Sequence, residues 1–392
     1  MPLTYKYRLI ILCLIAFTAT WLVFKPILKI AKEKHLTDDP NSRKLQKVPI
    51  PVMGGIAVFF GILIGCSFYK TMVSHSTLMP VLSGMTIMLY VGAIDDILSI
   101  KPGWRLIFEF LTAGLILFGL KDVYIAGFQG LFGIEFLPAW LGYGLSVLTF
   151  AAIINAVNMI DGVDGLSSAF SILILGCLGV VCFLGRAYSF SALSAVMIGA
   201  LMPFFLHNVF GYTTKMFIGD AGTMMVGTAI ASMVVVILCP EFTLEHFDVT
   251  LDFNRIAFCL AVISIPIADT LRVMFSRLLH HNSPFSPDKN HLHHHFVACG
   301  MSYIFTTISE VFINIVVIVL FFIVWRLGAS NEIQLITVIL SALSLDIGIA
   351  ICLHRKSSSQ DYKESDFARF AAKTKIERKG VWRLLQKLVD GE

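Results

Sequence analysis

Long runs of apolar residues, each closed by a short polar segment, dominate the pattern of this chain. Most runs are about 17–25 residues long, the length that a helix needs to cross a bilayer. Strand-like alternation of the barrel type is absent, so helices are the spanning structure that the pattern supports. We predict an all-α polytopic membrane helix bundle of about eleven transmembrane helices, at residues 9–28, 53–69, 80–95, 105–120, 140–158, 166–184, 190–210, 221–239, 256–275, 304–326 and 333–353.

The distribution of lysine and arginine predicts how these helices are oriented. Because eleven is an odd number, the two termini are expected on opposite sides. Of the 30 basic residues, 23 fall on one side and seven on the other. Cytoplasmic loops carry the excess of positive charge. The N-terminus is therefore predicted to be periplasmic and the C-terminus cytoplasmic.

The composition agrees with a membrane protein and divides the chain in two. It is 57% hydrophobic and only 14% charged, with a mean hydropathy of +0.80, whereas soluble domains carry about 25% charged residues. Eight cysteines include no C-x-x-C pair, so neither a disulfide framework nor a thiolate zinc site is indicated. We expect a membrane domain at 1–353 and a basic cytoplasmic tail at 354–392, either a helix on anionic headgroups or a solvated helix.

Two adjacent carboxylates, Asp95 and Asp96, end the third span. Adjacent helical side chains point about 100° apart, so the two are expected to have different tasks. One would contact a metal or phosphate, and the other would receive a proton or a basic partner. A polar helix end in water is the alternative, but the following Lys101 and Arg105 favour a function.

Two amides and two carboxylates recur every three residues at the end of the fifth span, namely Asn155, Asn158, Asp161 and Asp164. A step of three loses about 60° per repeat on an α-helix. We therefore expect the helix to loosen near Gly162 and Gly165 so that the side chains converge. Polar groups at the end of an apolar span are costly without partners, and helix capping or helix–helix hydrogen bonding is the alternative to a functional site.

Asp220 stands between Gly219 and the small pair Ala221 and Gly222, at the start of the eighth span. Glycines beside a carboxylate let a bulky anion and its metal approach the backbone, and a helix N-terminus favours phosphate. A capping aspartate in a tight turn is the alternative. Deeper in the ninth span, Asp269 is expected to be structural, orienting a neighbour or pairing with Arg272.

Three closely spaced histidines, His291, His293 and His294, follow the ninth span. No H-E-x-x-H signature is present, and histidines this close cannot all reach one ion from a regular helix. Phosphate or substrate binding is therefore favoured over zinc or a solvated loop. Lys289 would add a point charge toward phosphate.

All four polar clusters fall on the predicted cytoplasmic side. Oxygen ligands together with cationic side chains imply Mg²⁺, with Mn²⁺ as an alternative, held jointly by carboxylates and a diphosphate. Phosphoryl transfer requires mainly in-line positioning and charge neutralisation. The residues alone therefore predict a membrane phosphotransferase or pyrophosphatase.

Five ordered motifs between residues 38 and 300 resemble those of a known family. They are D-D-P-N-S-R-K…P-x-P-V-M-G-G (38–55), G-A-I-D-D (92–96), N-A-V-N-M-I-D-G-V-D-G (155–165), F-I-G-D-A-G (217–222) and S-P-F-S-P-D-K-N-H-L-H-H (283–294). The chain resembles the polyprenyl-phosphate N-acetylhexosamine-1-phosphate transferases (glycosyltransferase family 4), particularly the WecA-type undecaprenyl-phosphate N-acetylglucosamine-1-phosphate transferases. Enzymes of this type start O-antigen and related envelope glycans.

The resemblance implies that UDP-N-acetylglucosamine gives its sugar 1-phosphate to undecaprenyl phosphate and releases UMP. It makes Asp220 and Asn158 the Mg²⁺ ligands, and Asp95 the residue that binds or deprotonates the lipid phosphate. Asp96 and Asp161 complete the candidate catalytic set in an orienting role. Because both substrates can meet in one site and no activated nucleophile is evident, direct attack is preferred over a covalent enzyme intermediate.

The resemblance also assigns residues to the donor. Arg105 would contact its phosphate, Phe217 would stack on uracil, and Asp164 would hydrogen-bond uracil. The remaining candidate substrate-binding residues are Arg43, Lys289, His291, His293 and His294.

The implied location is the bacterial inner membrane, as a multi-pass protein whose active site faces the cytoplasm. The bilayer is an expected partner and nucleic acid is not, and a homodimer is left open. His295 is an extra histidine that resembles the family's muramyl-pentapeptide branch, whereas S-P-F-S-P-D-K favours the N-acetylglucosamine group. The alternatives are another UDP-N-acetylhexosamine donor, a membrane metalloprotease, and a polyprenyl-lipid transporter, whose site would lie nearer the bilayer midplane.

Overall fold

A computed structural model describes residues 2–38, 48–68, 75–244, 252–284, 286, 288–358, 365–375 and 380–391. These residues form fifteen α-helices and one two-stranded sheet, which confirms the all-α bundle. The helices are α1 (Pro2–Glu33), α2 (Gly54–Ser67), α3 (His75–Leu98), α4 (Pro102–Leu120), α5 (Ala139–Met159), α6 (Leu166–Leu184), α7 (Tyr188–Phe210), α8 (Gly219–Ile237), α9 (Arg255–Val262), α10 (Ser264–Leu279), α11 (Leu292–Ala298), α12 (Tyr303–Arg326), α13 (Asn331–Ser357), α14 (Asp366–Lys373) and α15 (Val381–Asp390).

The predicted spans are all helical, although they differ in length and continuity. In the described part of the chain, nine helices are long and apolar enough to cross a membrane. The broken pair α9–α10, bent by 73°, makes a tenth. Helix α2 has only 14 residues, about 21 Å at the rise of an α-helix, against a hydrocarbon core of about 30 Å. The count of eleven full spans therefore stays a prediction.

A side chain from another helix compensates for the break between α9 and α10. The amide oxygen of Asn314 on α12 accepts hydrogen bonds from the hydroxyl of Ser264 and the backbone N–H of Ile265, both at 3.0 Å. The amide nitrogen of Asn314 donates to the carbonyl of Val262 at 3.0 Å. Backbone groups freed at a break within the bilayer must find such partners, so α12 makes the bend tolerable.

Helix α8 lies at the centre of the bundle and is almost entirely buried. Helices α2, α3, α5 and α6 pack around it. A Cβ added at Gly55 would lie 2.4 Å from the backbone nitrogen of Gly222, and one at Gly92 would lie 2.5 Å from Cα of Ala221. Small residues at these crossings let the helix backbones touch, as is common in membrane bundles. The contacts bring the start of α8 against the end of α3.

The two ends of the chain lie at opposite ends of the bundle. The hydroxyl of Tyr5 donates to the carbonyl of Tyr188, at the start of α7. The carboxylate of Asp390 instead accepts from the hydroxyl of Thr214, beyond the end of α7. This arrangement agrees with an odd number of passes. Which end faces the cytoplasm stays a prediction from the charge distribution.

A short β-structure fixes the loop before α8. Strands β1 (Thr37–Asp38) and β2 (Ile50–Pro51) pair in an antiparallel register. The backbone N–H of Phe217 donates to the carbonyl of Pro51 at 2.8 Å, and the carbonyl of Phe217 accepts from Gly54 at 2.9 Å. The chain that leads into α8 is thus held against the start of α2.

Candidate active site

The predicted polar clusters meet at one end of the bundle, around a cavity of about 730 Å³. Its walls include eight of the predicted site residues, Asp95, Asp96, Asp161, Asp164, Phe217, Asp220, His293 and His294. A side pocket of about 260 Å³ shares Met159 and Asp288 with it. The side pocket is lined by Arg105, Asn155, Asn158, Arg277 and His291 among others. An acidic cavity thus adjoins a pocket that carries two arginines.

The adjacent carboxylates of α3 have different partners, as their helical offset predicted. Asp95 accepts a hydrogen bond from the backbone N–H of Ile100 at 2.7 Å and forms an ion pair with Arg105 at 3.5 Å. Asp96 accepts from the backbone N–H groups of Asp220 at 2.9 Å and Ala221 at 3.2 Å. Asp96 therefore caps the N-terminus of α8, where a negative charge is stabilised.

Gly219 allows this close approach. Its φ of +71° lies in the left-handed region, which favours glycine. A Cβ there would also lie 2.5 Å from Oδ2 of Asp96. Any side chain at this position would push the α3 carboxylate away from the first turn of α8.

Arg105 organises the side pocket through a partly buried network. Its Nη2 donates to the amide oxygens of Asn155 at 2.9 Å and Asn158 at 3.0 Å, and its Nε lies 3.4 Å from Oε1 of Glu109. Asn155 in turn donates to Glu109 at 2.6 Å. Because even a partly buried guanidinium gains from an acidic partner, the buried Glu109 holds Arg105 in position.

Asn158 connects this network to Asp220. Its amide nitrogen donates to Oδ1 of Asp220 at 2.7 Å and to the hydroxyl of Thr223 at 2.8 Å. Its oxygen faces Arg105. In this structure the nitrogen of Asn158, and not its oxygen, therefore faces Asp220. Service as a metal ligand requires the amide to turn.

The carboxylates of the α5–α6 turn have contrasting surroundings. Lys215 forms an ion pair with Oδ2 of Asp164. Asp161 lines the cavity and is exposed by its surface area, although protein atoms crowd around its carboxylate. Desolvation, followed by the negative charges of Asp220 and Asp96, raises its pKa to about 8. A cation placed among these carboxylates would favour the ionised form of Asp161.

The histidine loop is anchored by Asp269, the residue expected to orient a neighbour. Its Oδ2 lies 2.7 Å from Nδ1 of His291, its Oδ1 accepts from the backbone N–H of Leu292 at 2.8 Å, and it pairs with Arg272. The expected i+3 pair is confirmed. Asp346 on α13 also pairs with Arg272, at 2.6 Å. These bonds turn His291 into the side pocket.

His293 and His294 enter the main cavity, with their ring centroids 4.2 Å apart. Burial, together with the neighbouring His294 and His291, lowers the pKa of His293 well below its usual range. Burial, followed by the charge of His291, lowers the pKa of His294 to about 4. Both rings are therefore neutral at pH 7 and can each offer one donor and one acceptor to a ligand. Neither ring nitrogen of His293 has a protein partner among the described residues.

Two other residues named from the sequence, Lys289 and His295, line neither cavity. Lys289 is exposed, and its neighbour Asp288, not Lys289 itself, lines both cavities. His295 packs against His354 of α13, with ring centroids 5.6 Å apart. Arg43 lies outside the described residues.

The donor atoms of the main cavity fit a hard divalent cation held together with a substrate. No group of three or more His, Cys, Asp or Glu side chains in the described part of the chain is arranged to hold a metal ion by itself. Protein Mg²⁺ sites commonly use one or two carboxylates, with phosphate oxygens and water completing the shell. Asp220, with the nearby carboxylates that raise the pKa of Asp161, matches that pattern.

Sequence reasoning missed three residues of the site. Glu109 follows Arg105 by one helical turn, so the i,i+4 spacing was an available signal. Lys215 and Arg277 had no such signal. Lys215 pairs with a residue 51 positions away, and Arg277 is fixed by Asp288 at 2.8 Å across a loop.

Comparison with known proteins defines the class to which this fold and site belong. The profile of glycosyl transferase family 4 matches residues 78–238, from the first turn of α3 to the end of α8. The undecaprenyl-phosphate alpha-N-acetylglucosaminyl 1-phosphate transferase of Escherichia coli K12 is 30% identical over 289 residues, 73% of this chain and 75% of that protein. The protein of the same name from Yersinia pestis is 31% identical over 278 residues, 70% and 73% of the two chains.

A relative from a further organism is also similar. The probable undecaprenyl-phosphate N-acetylglucosaminyl 1-phosphate transferase of Bacillus subtilis is 28% identical over 301 residues, 75% of this chain and 79% of that protein. The polytopic bundle and its polar end define a multi-pass membrane transferase. The chain belongs to glycosyl transferase family 4.

Proposed function

We propose that this protein transfers N-acetylglucosamine 1-phosphate from UDP-N-acetylglucosamine to undecaprenyl phosphate, giving undecaprenyl-diphosphate-N-acetylglucosamine and UMP. A phosphate oxygen of the lipid attacks the sugar-linked phosphorus of the donor, and the bond from that phosphorus to the UMP oxygen breaks. The reaction would form the first lipid-linked sugar of an envelope glycan such as O-antigen.

One observation carries the proposal. The acidic cavity and the arginine-lined side pocket meet at Met159 and Asp288, at the end of a membrane bundle. Phosphoryl transfer needs a binding site for a cation next to a binding site for phosphate. A position at the end of the spans lets a water-soluble donor meet an acceptor whose chain stays in the bilayer. The names of the relatives support the same pair of substrates.

Asp95 suits the acceptor phosphate, and Arg105 beside it suits the phosphate of the donor. Arg105 already donates to two amides and lies 3.5 Å from Asp95, so it is oriented before substrate enters. Phosphate oxygens can take the place of those acceptors on the guanidinium. Asp95 would then accept the proton of a monoanionic lipid phosphate, whose second pKa is about 6, and leave a stronger nucleophile.

Phe217, Asp164 and Lys215 suit the nucleotide. Phe217 is half-buried on the cavity wall, where a uracil ring can stack on it. Lys215 holds one oxygen of Asp164, which leaves the other oriented to accept from a base N–H. His293 and His294, neutral at pH 7, would donate to the diphosphate or the sugar.

Asp220 would hold Mg²⁺, with Asn158 as a second ligand if its amide turns. When bound, the ion would neutralise the diphosphate and stabilise the departing UMP. Asp96 keeps the first turn of α8 in place, and Asp161 adds to the negative potential around the ion. Mn²⁺ would substitute, since it accepts similar oxygen ligands.

The excess of basic residues at the site end supports a cytoplasmic active site in a bacterial inner membrane. The water-soluble nucleotide donor would also reach the site from the cytoplasm. A homodimer stays open.

The test is UMP release by purified protein in detergent with undecaprenyl phosphate, Mg²⁺ and a panel of UDP-N-acetylhexosamines. We expect UMP with UDP-N-acetylglucosamine. If UMP is released only with another UDP-sugar, that sugar nucleotide is the donor. If folded protein releases no UMP with any of them, the transferase proposal is overturned in favour of a transporter.

Asp220→Asn tests the assignment of the metal site in the same assay. We expect turnover to be abolished, because the carboxylate most expected on the ion is lost. Asp366→Asn, an exposed carboxylate on α14, is the matched control and should leave the rate unchanged. Near-normal turnover of Asp220→Asn at saturating Mg²⁺ would refute the assignment.

A further inference from the structure

The C-terminal helix α15 has no part in the proposed chemistry, yet it packs against the site end of the bundle. Val389 is fully buried. The ring of Trp382 meets that of Phe210, at the end of α7, with centroids 4.7 Å apart. Nζ of Lys25 on α1 donates to the main-chain oxygen of Asp390 at 3.2 Å. Helix α15 is therefore held in a defined position by contacts with α1 and α7.

The carboxylate at the end of this helix accepts an unusual set of hydrogen bonds. Three consecutive backbone N–H groups, those of Tyr212, Thr213 and Thr214, donate to Asp390 at 3.2 Å each. The hydroxyl of Thr214 donates at 2.8 Å. Consecutive N–H groups that converge in this way form an anion-binding nest. Burial alone would raise the pKa of Asp390, but the hydrogen bonds from Thr214 and Tyr212 hold it below its usual range.

The segment that Asp390 holds leads directly into the cavity. Lys215, which follows Thr214, pairs with Asp164. Two residues later, Phe217 lines the cavity and is fixed by Pro51. The segment 212–217 is thus held at its end by β2 and at its beginning by Asp390. Loss of the Asp390 anchor would loosen the backbone immediately before Lys215, although Lys32 and Asn208 would still hold the carbonyls of Thr213 and Met216.

We propose that Asp390 is a positioning residue, through which α15 clamps the α7–α8 loop and holds Lys215 and Phe217 in the geometry that binds the nucleotide. The clamp itself stands on the contacts alone, while its effect on the donor rests on the proposed function. The acceptor contact proposed for Asp95 comes from α3 and not from this loop. Loss of the clamp should therefore weaken binding of the nucleotide donor and leave binding of the lipid acceptor unchanged.

Hydrogen exchange of the full-length protein in detergent tests the clamp without any reaction. In Asp390→Ala we expect the amides of 212–214 to exchange roughly tenfold faster or more, the factor for losing hydrogen bonds to a charged acceptor. Asp390→Asn keeps an acceptor without the charge and should fall between this variant and wild type. Asp366→Ala, which removes an exposed carboxylate from α14, should leave exchange at 212–214 unchanged.

Steady-state kinetics test the consequence. For Asp390→Ala we expect KM for UDP-N-acetylglucosamine to rise about tenfold, by the same reasoning. KM for undecaprenyl phosphate should stay within about twofold, which a general loss of structure would not leave intact. Binding of UMP with Mg²⁺, measured by calorimetry, should weaken in parallel.

Unchanged exchange at 212–214 in Asp390→Ala would overturn the clamp. Faster exchange with unaltered donor KM and UMP affinity would overturn its role in positioning. If wild-type protein releases no UMP, the proposed function fails, while exchange and UMP binding still decide the clamp. If Asp390→Ala does not fold, Thr214→Val removes one donor to the same carboxylate. In an otherwise unchanged chain, this variant should exchange the amides of 212–214 faster than wild type, and an unchanged rate would count against the clamp.

Discussion

Gly162 is the point at which one added methyl group should reshape the active site. It lies in the turn after α5, beside His293. A Cβ at this position would lie 2.1 Å from Nε2 of His293, 2.8 Å from Cδ2 and 2.9 Å from Cε1. The φ of Gly162 is not positive, so alanine is tolerated by the backbone. The substitution Gly162→Ala therefore perturbs the histidine ring and little else.

The size of the effect follows from these distances. Non-bonded heavy atoms approach to about 3.5 Å, so the ring must retreat by about 1.4 Å. His293 is only 1% exposed and already lies against His294, which leaves it little room. Overpacking of this kind costs about 1–3 kcal/mol of unfolding free energy. A displacement of about 1 Å in an active site can lower the rate about 100-fold.

Initial rates of UMP release and thermal unfolding by tryptophan fluorescence measure the two effects. We expect kcat/KM of Gly162→Ala to fall about 100-fold, with a lower Tm. Gly114→Ala is the control, because a Cβ at Gly114 in α4 meets nothing within 4 Å. Alanine is a better helix former than glycine by about 1 kcal/mol, so the control should be as stable as wild type or more so.

A second comparison isolates the clash. In a His293→Ala background the ring is absent, so Gly162→Ala should no longer lower the Tm. Such non-additivity is the mark of two residues in contact. Near-normal kcat/KM of Gly162→Ala, or an equal loss of Tm with and without the His293 ring, would refute the reasoning.

The remaining predictions concern pH, the acceptor and topology. The pKa of Asp161 is raised from 3.8 to about 8, so its protonated form stabilises the fold below pH 4, and this contribution is lost as the pH rises through 8. Because Mg²⁺ favours the ionised carboxylate, the gain in Tm from Mg²⁺ should grow between pH 6 and 8.5. An equal gain at both pH values would contradict this. Asp95→Asn should bind UMP normally but fail in transfer, since it cannot accept a proton; retained transfer across the pH range would exclude a role as base. In a variant without other cysteines, Asn290→Cys should be labelled by a membrane-impermeant maleimide only from the cytoplasmic side, and external labelling would reverse the topology.

The sequence was sufficient to place the candidate site at one end of the bundle. Asp96 and Asp220 are 124 positions apart, yet each was assigned to that end because each closes or opens an apolar run. The bilayer imposes this regularity, since backbone polar groups must be satisfied within a helix that crosses it. Successive spans reverse direction, so their ends alternate.

The partners of individual side chains did not follow from the sequence. Asp96 caps α8 through backbone N–H groups, and Asn158 turns its nitrogen to Asp220. Both facts depend on how far each helix is rotated and how closely α3 approaches α8. That approach is decided by contacts such as Gly92 against Ala221, which no periodicity predicts.

The same division holds for the tail. Its charge and helical spacing left a surface helix on lipid and a solvated helix both open, because both need only an amphipathic pattern. The tertiary structure placed Asp390 on the loop before α8, 176 positions from Thr214. Sequence alone determined which segments form long apolar helices and where their polar ends lie, because hydrophobic length is a local property. Which carboxylate meets which amide was decided only by packing, because hydrogen bonds require atoms within about 3 Å of each other.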